Sequence, residues 1–227
     1  MIAYDLIGQT PLVLLESFSD ENVKIYAKLE QFNPGGSIKD RLGKYLIEKA
    51  IDEGRLKEGD TIVEATAGNT GIGLAIASNR HKVKCIIFAP EGFAEEKISI
   101  MKALGADVRR TPKVEGMTGA QQEALAYATR YGYLYMNQFE TKDNPGAYTQ
   151  TLAKQLTDEL SHIDYFVAGV GSGGTFTGVA QHLKTYDVKN YIVEPEGSVL
   201  NGGVSHPHAT EGIGSCLLYT SPSPRDS

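Results

Sequence analysis

The sequence contains no tryptophan, only two cysteines among 227 residues, and no excess of basic residues. Each shortage narrows what the chain can be. Cys85 and Cys216 are too few for a disulfide framework and too far apart for a zinc-type pair, which points to a reducing, cytoplasmic setting. With 22 Lys plus Arg against 28 Asp plus Glu the net charge is −6, and no basic stripe of the kind a nucleic-acid binder uses is present. No apolar run approaches the ~18 residues that would suggest a membrane span. The opening residues, MIAYDLIGQTP, show neither a basic leader nor a cleavage pattern. The expectation is therefore a protein with no nucleic-acid or membrane partner. Apolar residues at 41% and charged residues at 22% are ordinary for a globular chain of this size. The one excess is glycine, 25 residues against a usual ~7%, and the glycines gather at turns.

Short β-like runs alternate with helical patterns along most of the chain. Strands are expected over Val23 to Leu29, Thr61 to Ala65, Lys82 to Ala89, Ala106 to Arg110, Tyr133 to Met136, Tyr165 to Ala168 and Tyr191 to Val193. Helices are expected over Lys39 to Glu53, Thr70 to Asn79, Ala94 to Leu104, Met117 to Arg130 and Thr175 to Lys184. In the first of these, Leu42, Leu46, Ala50 and Ile51 form the apolar face and Gly54 marks the stop. Tyr148, Leu152, Leu156 and Leu160 form an i, i+4 stripe on a further helix. This alternation predicts an α/β protein built on parallel sheets, whose ligands bind beyond the carboxyl ends of the strands.

Three glycine-rich turns stand at such strand ends or helix starts. The strand Tyr165 to Ala168 runs into G-V-G-S-G-G, where Gly169, Gly171 and Gly174 satisfy G-x-G-x-x-G, and an acid, Glu194, follows about 20 residues on. That layout matches a dinucleotide fingerprint. Yet Gly171, Ser172, Gly173, Gly174 and Thr175 offer consecutive amides, two hydroxyls and a helix N-terminus that suit any phosphate, and a plain tight turn is the bland alternative. The second turn, Thr66-Ala67-Gly68-Asn69-Thr70-Gly71, carries hydroxyl, amide and backbone donors for a carboxylate or phenolate oxygen; simple helix capping by Asn69 or Thr70 would explain the same residues. The third is Asn33-Pro34-Gly35-Gly36-Ser37-Ile38-Lys39-Asp40-Arg41. A lysine at a helix start lies against the positive dipole end, which disfavours its ammonium form; Arg41 acts the same way and Asp40 opposes it. Only a neutral amine attacks a carbonyl, so Lys39 is a candidate for Schiff-base chemistry, although most lysines are simply solvated.

Together the three turns resemble the fold-type II pyridoxal-phosphate enzymes, and within them the cysteine synthase (O-acetylserine sulfhydrylase) and cystathionine β-synthase group. The matching stretches are I-G-Q-T-P-L, N-P-G-G-S-I-K-D-R, T-A-G-N-T-G, K-A-L-G-A, N-Q-F, G-S-G-G-T and E-G-I-G, spanning residues 5 to 214. The resemblance implies two parallel-sheet α/β domains of the tryptophan synthase β type. A larger cofactor domain would comprise 1–39 and 144–215, a smaller mobile one 40–143. It implies that Lys39 bonds the cofactor and shuttles the Cα proton, that Asn69 holds the ring oxygen, and that Gly171, Ser172, Gly173, Gly174 and Thr175 hold the phosphate. Thr66, Gly68, Thr70 and Gln138 would grip the substrate carboxylate. The family usually has serine where this chain has Ala67, which removes one carboxylate donor. The implied cofactor is pyridoxal 5'-phosphate. The implied reaction is β-replacement on O-acetylserine by sulfide, giving cysteine and acetate, or by homocysteine, giving cystathionine. The parent enzyme would be a homodimer. The stretch E-G-S-V-L-N-G-G at 196–203 resembles the homocysteine-using branch more closely. A catalytically silent cofactor-binding homologue is the alternative from another class.

Other residues read more plainly. Cys85, in an apolar strand, is a core residue. His206-Pro207-His208 has no third ligand, so no metal is expected. Glu95, Glu96 and Lys97 mark a solvated helix face. Cys216 to Asp226 has no periodicity and matches an in-frame translation of a sequencing adapter, so 216–227 is read as a non-native or disordered tail and the larger domain as incomplete. The family's serine partner for the pyridine nitrogen has no counterpart in this chain.

Overall fold

The computed structural model describes residues 2–93, 95–200, 210 and 212–214. They form two compact units, divided after Tyr135. The first unit opens with β1 (Leu12–Leu14) and β2 (Tyr26–Lys28), an antiparallel pair with Leu12 opposite Lys28. The strand expected over Val23 to Leu29 is thus shorter and does not join a parallel sheet. Its connection to β1 is a loop, closed where Asp20 Oδ1 accepts the amides of Asn22 (2.8 Å) and Val23 (2.7 Å), and such a loop returns the chain antiparallel.

The parallel sheet contains β3 (Thr61–Ala65), β4 (Lys84–Pro90), β5 (Asp107–Thr111) and β6 (Leu134–Tyr135) in the order β5-β4-β3-β6. Every neighbouring pair is parallel. β3 is buried at each position, as a central strand with helices on both faces must be. Val63, Ala65, Ile86 and Phe88 pack on Ala120, Ala124 and Ala128, an i, i+4 stripe of α4 (Gly116–Tyr131) small enough to bring the helix close. Gly132, at φ 67°, takes the left-handed conformation that ends α4.

Elsewhere in this unit lie α1 (Lys39–Asp52), α2 (Asn69–Arg80) and α3 (Glu95–Ala103). The buried face of α1 includes Leu42, Leu46, Ile47 and Ala50, so Ile47 takes the place that Ile51 was expected to hold. The helices α1 and α2 pack directly on one another through glycine. A Cβ at Gly43 would overlap the Gly73 carbonyl, and a Cβ at Gly73 would overlap the Lys39 carbonyl.

The second unit begins with a helical run: α5 (Asp143–Tyr148), one π turn over Thr149–Ala153, and α6 (Lys154–Glu159). Tyr148, Leu152 and Leu156 of the expected stripe are buried, whereas Leu160 lies past the helix end with extended backbone. The π turn escapes a periodicity argument because it widens one turn without moving the i, i+4 stripe off its face. Thr149 Oγ1 donates to the Gly178 carbonyl at 2.9 Å. After β7 (Tyr165–Gly169) come α7 (Gly174–Leu183) and β8 (Lys189–Val193), the two strands pairing in parallel with Tyr165 opposite Lys189.

Candidate active site

The residues singled out in the sequence fall into two groups, one in each unit. In the first unit, Lys39 and Asn69 are the first residues of α1 and α2. The close packing at Gly73 lays the Lys39 carbonyl against a point four residues into α2, about 6 Å along the axis from Asn69 at 1.5 Å per residue. The two helix starts therefore share one end of the helix pair. Lys39 N–H donates to Ser37 Oγ (3.1 Å).

Arg41 is fully committed elsewhere. Its Nε donates to Glu30 Oε2 (2.7 Å), and its Nη2 to Glu30 Oε1 (2.9 Å), to the Gly8 carbonyl (3.0 Å) and to Thr10 Oγ1 (3.1 Å). Thr10 Oγ1 donates to Glu30 Oε1 at 2.6 Å, and Asn33 Oδ1 accepts the Gly8 amide at 2.7 Å. Burial alone would raise the Glu30 carboxyl, but the Arg41 guanidinium and the hydroxyl and amide donors hold it below its usual range. This changes the expected influence of Arg41: it is a compensated structural cation that ties the G-Q-T segment to the lysine turn. Asp40 changes too. Burial pushes its carboxyl up to about 6, opposed by the hydrogen bond from the Gly35 amide and reinforced by the Glu30 charge.

In the second turn, Thr66 Oγ1 accepts the Gly68 amide (3.1 Å), and the N-cap of α2 is Gly68, which has no side chain to cap with. Asn69 and Thr70 stand at the first two positions of α2, after Gly68 at the N-cap. Thr66 and Thr70 are buried, while Ala67, Gly68 and Asn69 are half-buried. Among the described residues, nothing lies within 4 Å of where a Cβ on Gly68 would stand. Beneath the turn, Met101 of α3 fills the space beside Gly71 and is fully buried, so α3 is more than the solvated face expected of it.

In the second unit the phosphate-type turn links β7 to α7. Gly173, at φ 84°, stands at the N-cap of the helix and has no side chain to cap it. A left-handed φ of this kind favours glycine. The Gly212–Gly214 segment packs on the turn: a Cβ at Gly171 would overlap the Gly212 carbonyl, and the Gly214 amide donates to the Val170 carbonyl (2.8 Å). Glu194, the acid of the dinucleotide layout, instead accepts the Leu200 amide at 3.2 Å in a local turn. Gln138 is buried. Its carbonyl accepts from Asn144 Nδ2 (2.7 Å), which also donates to Ser172 Oγ (3.0 Å).

Sequence reasoning missed Glu30, Met101 and Asn144. For Asn144 a signal was present, an Asn-Pro pair at a helix start. For Glu30 none was, because its partner lies eleven residues away outside any periodic pattern. Cys85 is a buried free thiol, as expected, with burial pushing it up to about 12. Among the described residues no group of three or more His, Cys, Asp or Glu could hold a metal, and no helix is long and apolar enough to cross a membrane. The His206-Pro207-His208 segment and 215–227 lie outside the described residues.

A lysine and an asparagine opening two packed helices, and a glycine-rich helix start in the other unit, are the features on which the resemblance to one enzyme class rests. The chain belongs to the pyridoxal-phosphate dependent enzymes, whose family model matches residues 3–222. It is 52% identical over 215 residues to an O-acetylserine dependent cystathionine beta-synthase of Bacillus subtilis (strain 168), covering 92% of this chain and 70% of that protein. It is 48% identical over 221 residues to a cysteine synthase of Helicobacter pylori (strain ATCC 700392 / 26695), with 92% and 71% covered. Among solved structures, the O-acetylserine dependent cystathionine beta-synthase from Helicobacter pylori superposes with a TM-score of 0.90 at 46% identity, over 96% of this chain and 74% of that one. The residues present fit the cofactor. The uncapped amides of α7 suit its phosphate, and the open space beside Gly68 leaves that turn accessible to a ligand.

Proposed function

We propose that the chain carries the machinery of a β-replacement reaction in which a thiol displaces acetate from O-acetylserine. The observation that carries this reading is the shared end of α1 and α2, with Lys39 and Asn69 at the first positions of two helices locked by Gly43 and Gly73. When bound, pyridoxal phosphate supplies an electrophilic aldehyde carbon and a ring that spreads the electron pair left at the substrate Cα. Ser172, Thr175 and the α7 amides would hold its phosphate, with Gly171, Gly173 and Gly174 shaping the turn, and Asn69 would orient its ring oxygen. Thr66, Gly68, Thr70 and Gln138 would hold the amino-acid carboxylate. Lys39 Nζ would take the Cα proton and return it to Cα once the thiolate has replaced acetate at Cβ.

Sulfide as acceptor gives cysteine, the reading first in line; homocysteine gives cystathionine. The similarity to an O-acetylserine dependent cystathionine beta-synthase supports keeping the second reading beside the first. The domain assignment belongs to the same proposal: the four-stranded sheet lies wholly within 40–143, the proposed smaller domain, and β7–β8 within 144–215. A homodimer completes the proposal, and a cytoplasmic setting agrees with the buried free thiol of Cys85.

The test is borohydride reduction of the chain loaded with pyridoxal phosphate, followed by peptide mass analysis. A reduced adduct on Lys39 is expected, and Lys39→Ala should lose both the adduct and turnover while still binding the cofactor through its phosphate. Adduct at other lysines, or substantial turnover by Lys39→Ala, would overturn the assignment. Parallel assays of O-acetylserine with sulfide and with homocysteine decide the acceptor.

A further inference from the structure

Asn144 occupies the second position of α5 and is fully buried, yet no part of the reaction described above uses it. One amide nitrogen joins two functional segments: Nδ2 donates to the Gln138 carbonyl (2.7 Å) and to Ser172 Oγ (3.0 Å), across 28 residues of sequence. The orientation of the amide follows from chemistry. A main-chain carbonyl can only accept, so the atom facing Gln138 must be the NH₂ group. Oδ1 then points the other way, toward Gly174, where a Cβ would overlap it. Gly174 is therefore glycine to admit Asn144. Oδ1 is buried and has no hydrogen-bond partner among the described residues, an arrangement that proteins tolerate rarely and that marks a group held for a purpose.

The packing around this amide is rigid. One turn further along α7, a Cβ at Gly178 would overlap the Pro145 carbonyl, and Thr149 Oγ1 donates to the Gly178 carbonyl (2.9 Å). The start of α5 is thus pinned to the start of α7 at two successive turns. A hydroxyl has one proton and two lone pairs; when Ser172 Oγ accepts from Asn144, its own proton is turned away from the amide and its acidity is strengthened by the chain of bonds.

We propose that Asn144 is a positioning residue that primes Ser172 as a donor to the cofactor phosphate and couples occupation of that loop to the segment bearing Gln138. The inference rests on the phosphate and carboxylate roles proposed above. By linkage the coupling is reciprocal: filling the phosphate loop stiffens Gln138, and ordering Gln138 tightens the loop.

The experiment measures dissociation constants of pyridoxal phosphate and of pyridoxal, which lacks the phosphate, by equilibrium dialysis. The full chain, Asn144→Ala, Ser172→Ala and the double variant are compared, with circular dichroism melts on each. Asn144→Ala should weaken pyridoxal phosphate about tenfold, the scale of one hydrogen bond to a charged group, and leave pyridoxal unchanged. The double variant should be no worse than Ser172→Ala alone. Saturating pyridoxal phosphate should slow amide hydrogen exchange over 136–144 in the parent chain and in neither Asn144→Ala nor the double variant. Ser172→Ala leaves Asn144 in place, so it keeps the test open if Asn144→Ala does not fold. In that case, unchanged phosphate-dependent binding in Ser172→Ala overturns the proposal. Additive losses in the double variant, or exchange protection that survives in Asn144→Ala, overturn it as well. Failure of the parent chain to bind pyridoxal phosphate at all would instead strike the proposed function.

Discussion

Gly43 and Gly73 meet where α1 crosses α2, with neither position leaving room for a Cβ. Each lies four residues after a proposed site residue, Gly43 after Lys39 and Gly73 after Asn69. Since four residues are about one helical turn, the contact works like a clamp set one turn behind the two side chains proposed to act. Close packing of two backbones sets the two helix starts at one end of the pair, and it depends on side chains that are absent.

Gly73→Ala tests the clamp by its sign. In an open helix interior, alanine in place of glycine gains about 0.5–1 kcal/mol. Here the added methyl would meet the Lys39 carbonyl, which belongs to backbone and cannot swing aside. Overpacking of this kind costs about 1–3 kcal/mol. Urea denaturation should show a net loss, and the rate of borohydride-trapped adduct formation at Lys39 should fall with it. A stabilised variant would mean that the helices are free to separate.

The buried pair Arg41–Glu30 should respond differently to single and double replacement. Glu30→Met leaves the Arg41 guanidinium desolvated without its counter-ion, at an expected cost of about 3–5 kcal/mol. Replacing both residues by methionine should cost clearly less, because no isolated charge remains. Chemical denaturation of the two variants makes the comparison. Equal losses would show that the pair contributes through packing alone.

Much of this architecture was legible in the sequence because its signals are local. The strand Thr61–Ala65 and the helices α1 and α2 follow from periodicity and turn residues read within a few positions. The glycine-rich turns that carry the proposed site were legible for the same reason. What the sequence could not show depends on contacts between distant segments. Glu30 gives no periodic signal, β1 is too short for alternation to register, and the role of Gly73 appears only once the Lys39 carbonyl lies against it. The same holds for Asp40: its neighbours in sequence suggest an ionised partner for lysine, whereas burial raises its carboxyl to about 6.

That shift gives stability a definite dependence on pH. Asp40 rises from 3.8 to about 6 in the folded chain, so between these values the folded state keeps a proton that the unfolded state has lost. Stability therefore falls as pH rises through this window, by up to about 3 kcal/mol for a shift of this size. In Asp40→Asn the new side chain cannot ionise, and its carbonyl can still accept the Gly35 amide. The stability of this variant relative to the parent should accordingly increase from pH 4 to pH 7, whatever constant offset the substitution brings. Thermal melts across that range check the slope. A difference that stays flat, or falls, would mean that Asp40 is charged at low pH in the folded protein.

Ala67 offers the most direct test of the carboxylate turn. It lies half-buried between Thr66 and Gly68, so its side chain is partly open to solvent. Thr66 Oγ1 already accepts the Gly68 amide, which keeps its own proton available to a ligand, and a serine at 67 would add a second donor of the same kind. A hydroxyl meeting a carboxylate that stays in place throughout the reaction strengthens ground state and transition state alike. Its effect should appear in KM, with little change in kcat. For Ala67→Ser we expect KM for O-acetylserine to fall roughly fivefold, about 1 kcal/mol, a typical net gain for one hydrogen bond. Steady-state kinetics at saturating thiol make the measurement. The response to sulfide or homocysteine should stay the same, since the thiol adds at Cβ rather than at the carboxylate. An unchanged KM would show that position 67 does not face the carboxylate, and the roles given to Thr66, Gly68 and Thr70 would have to be reassigned with it.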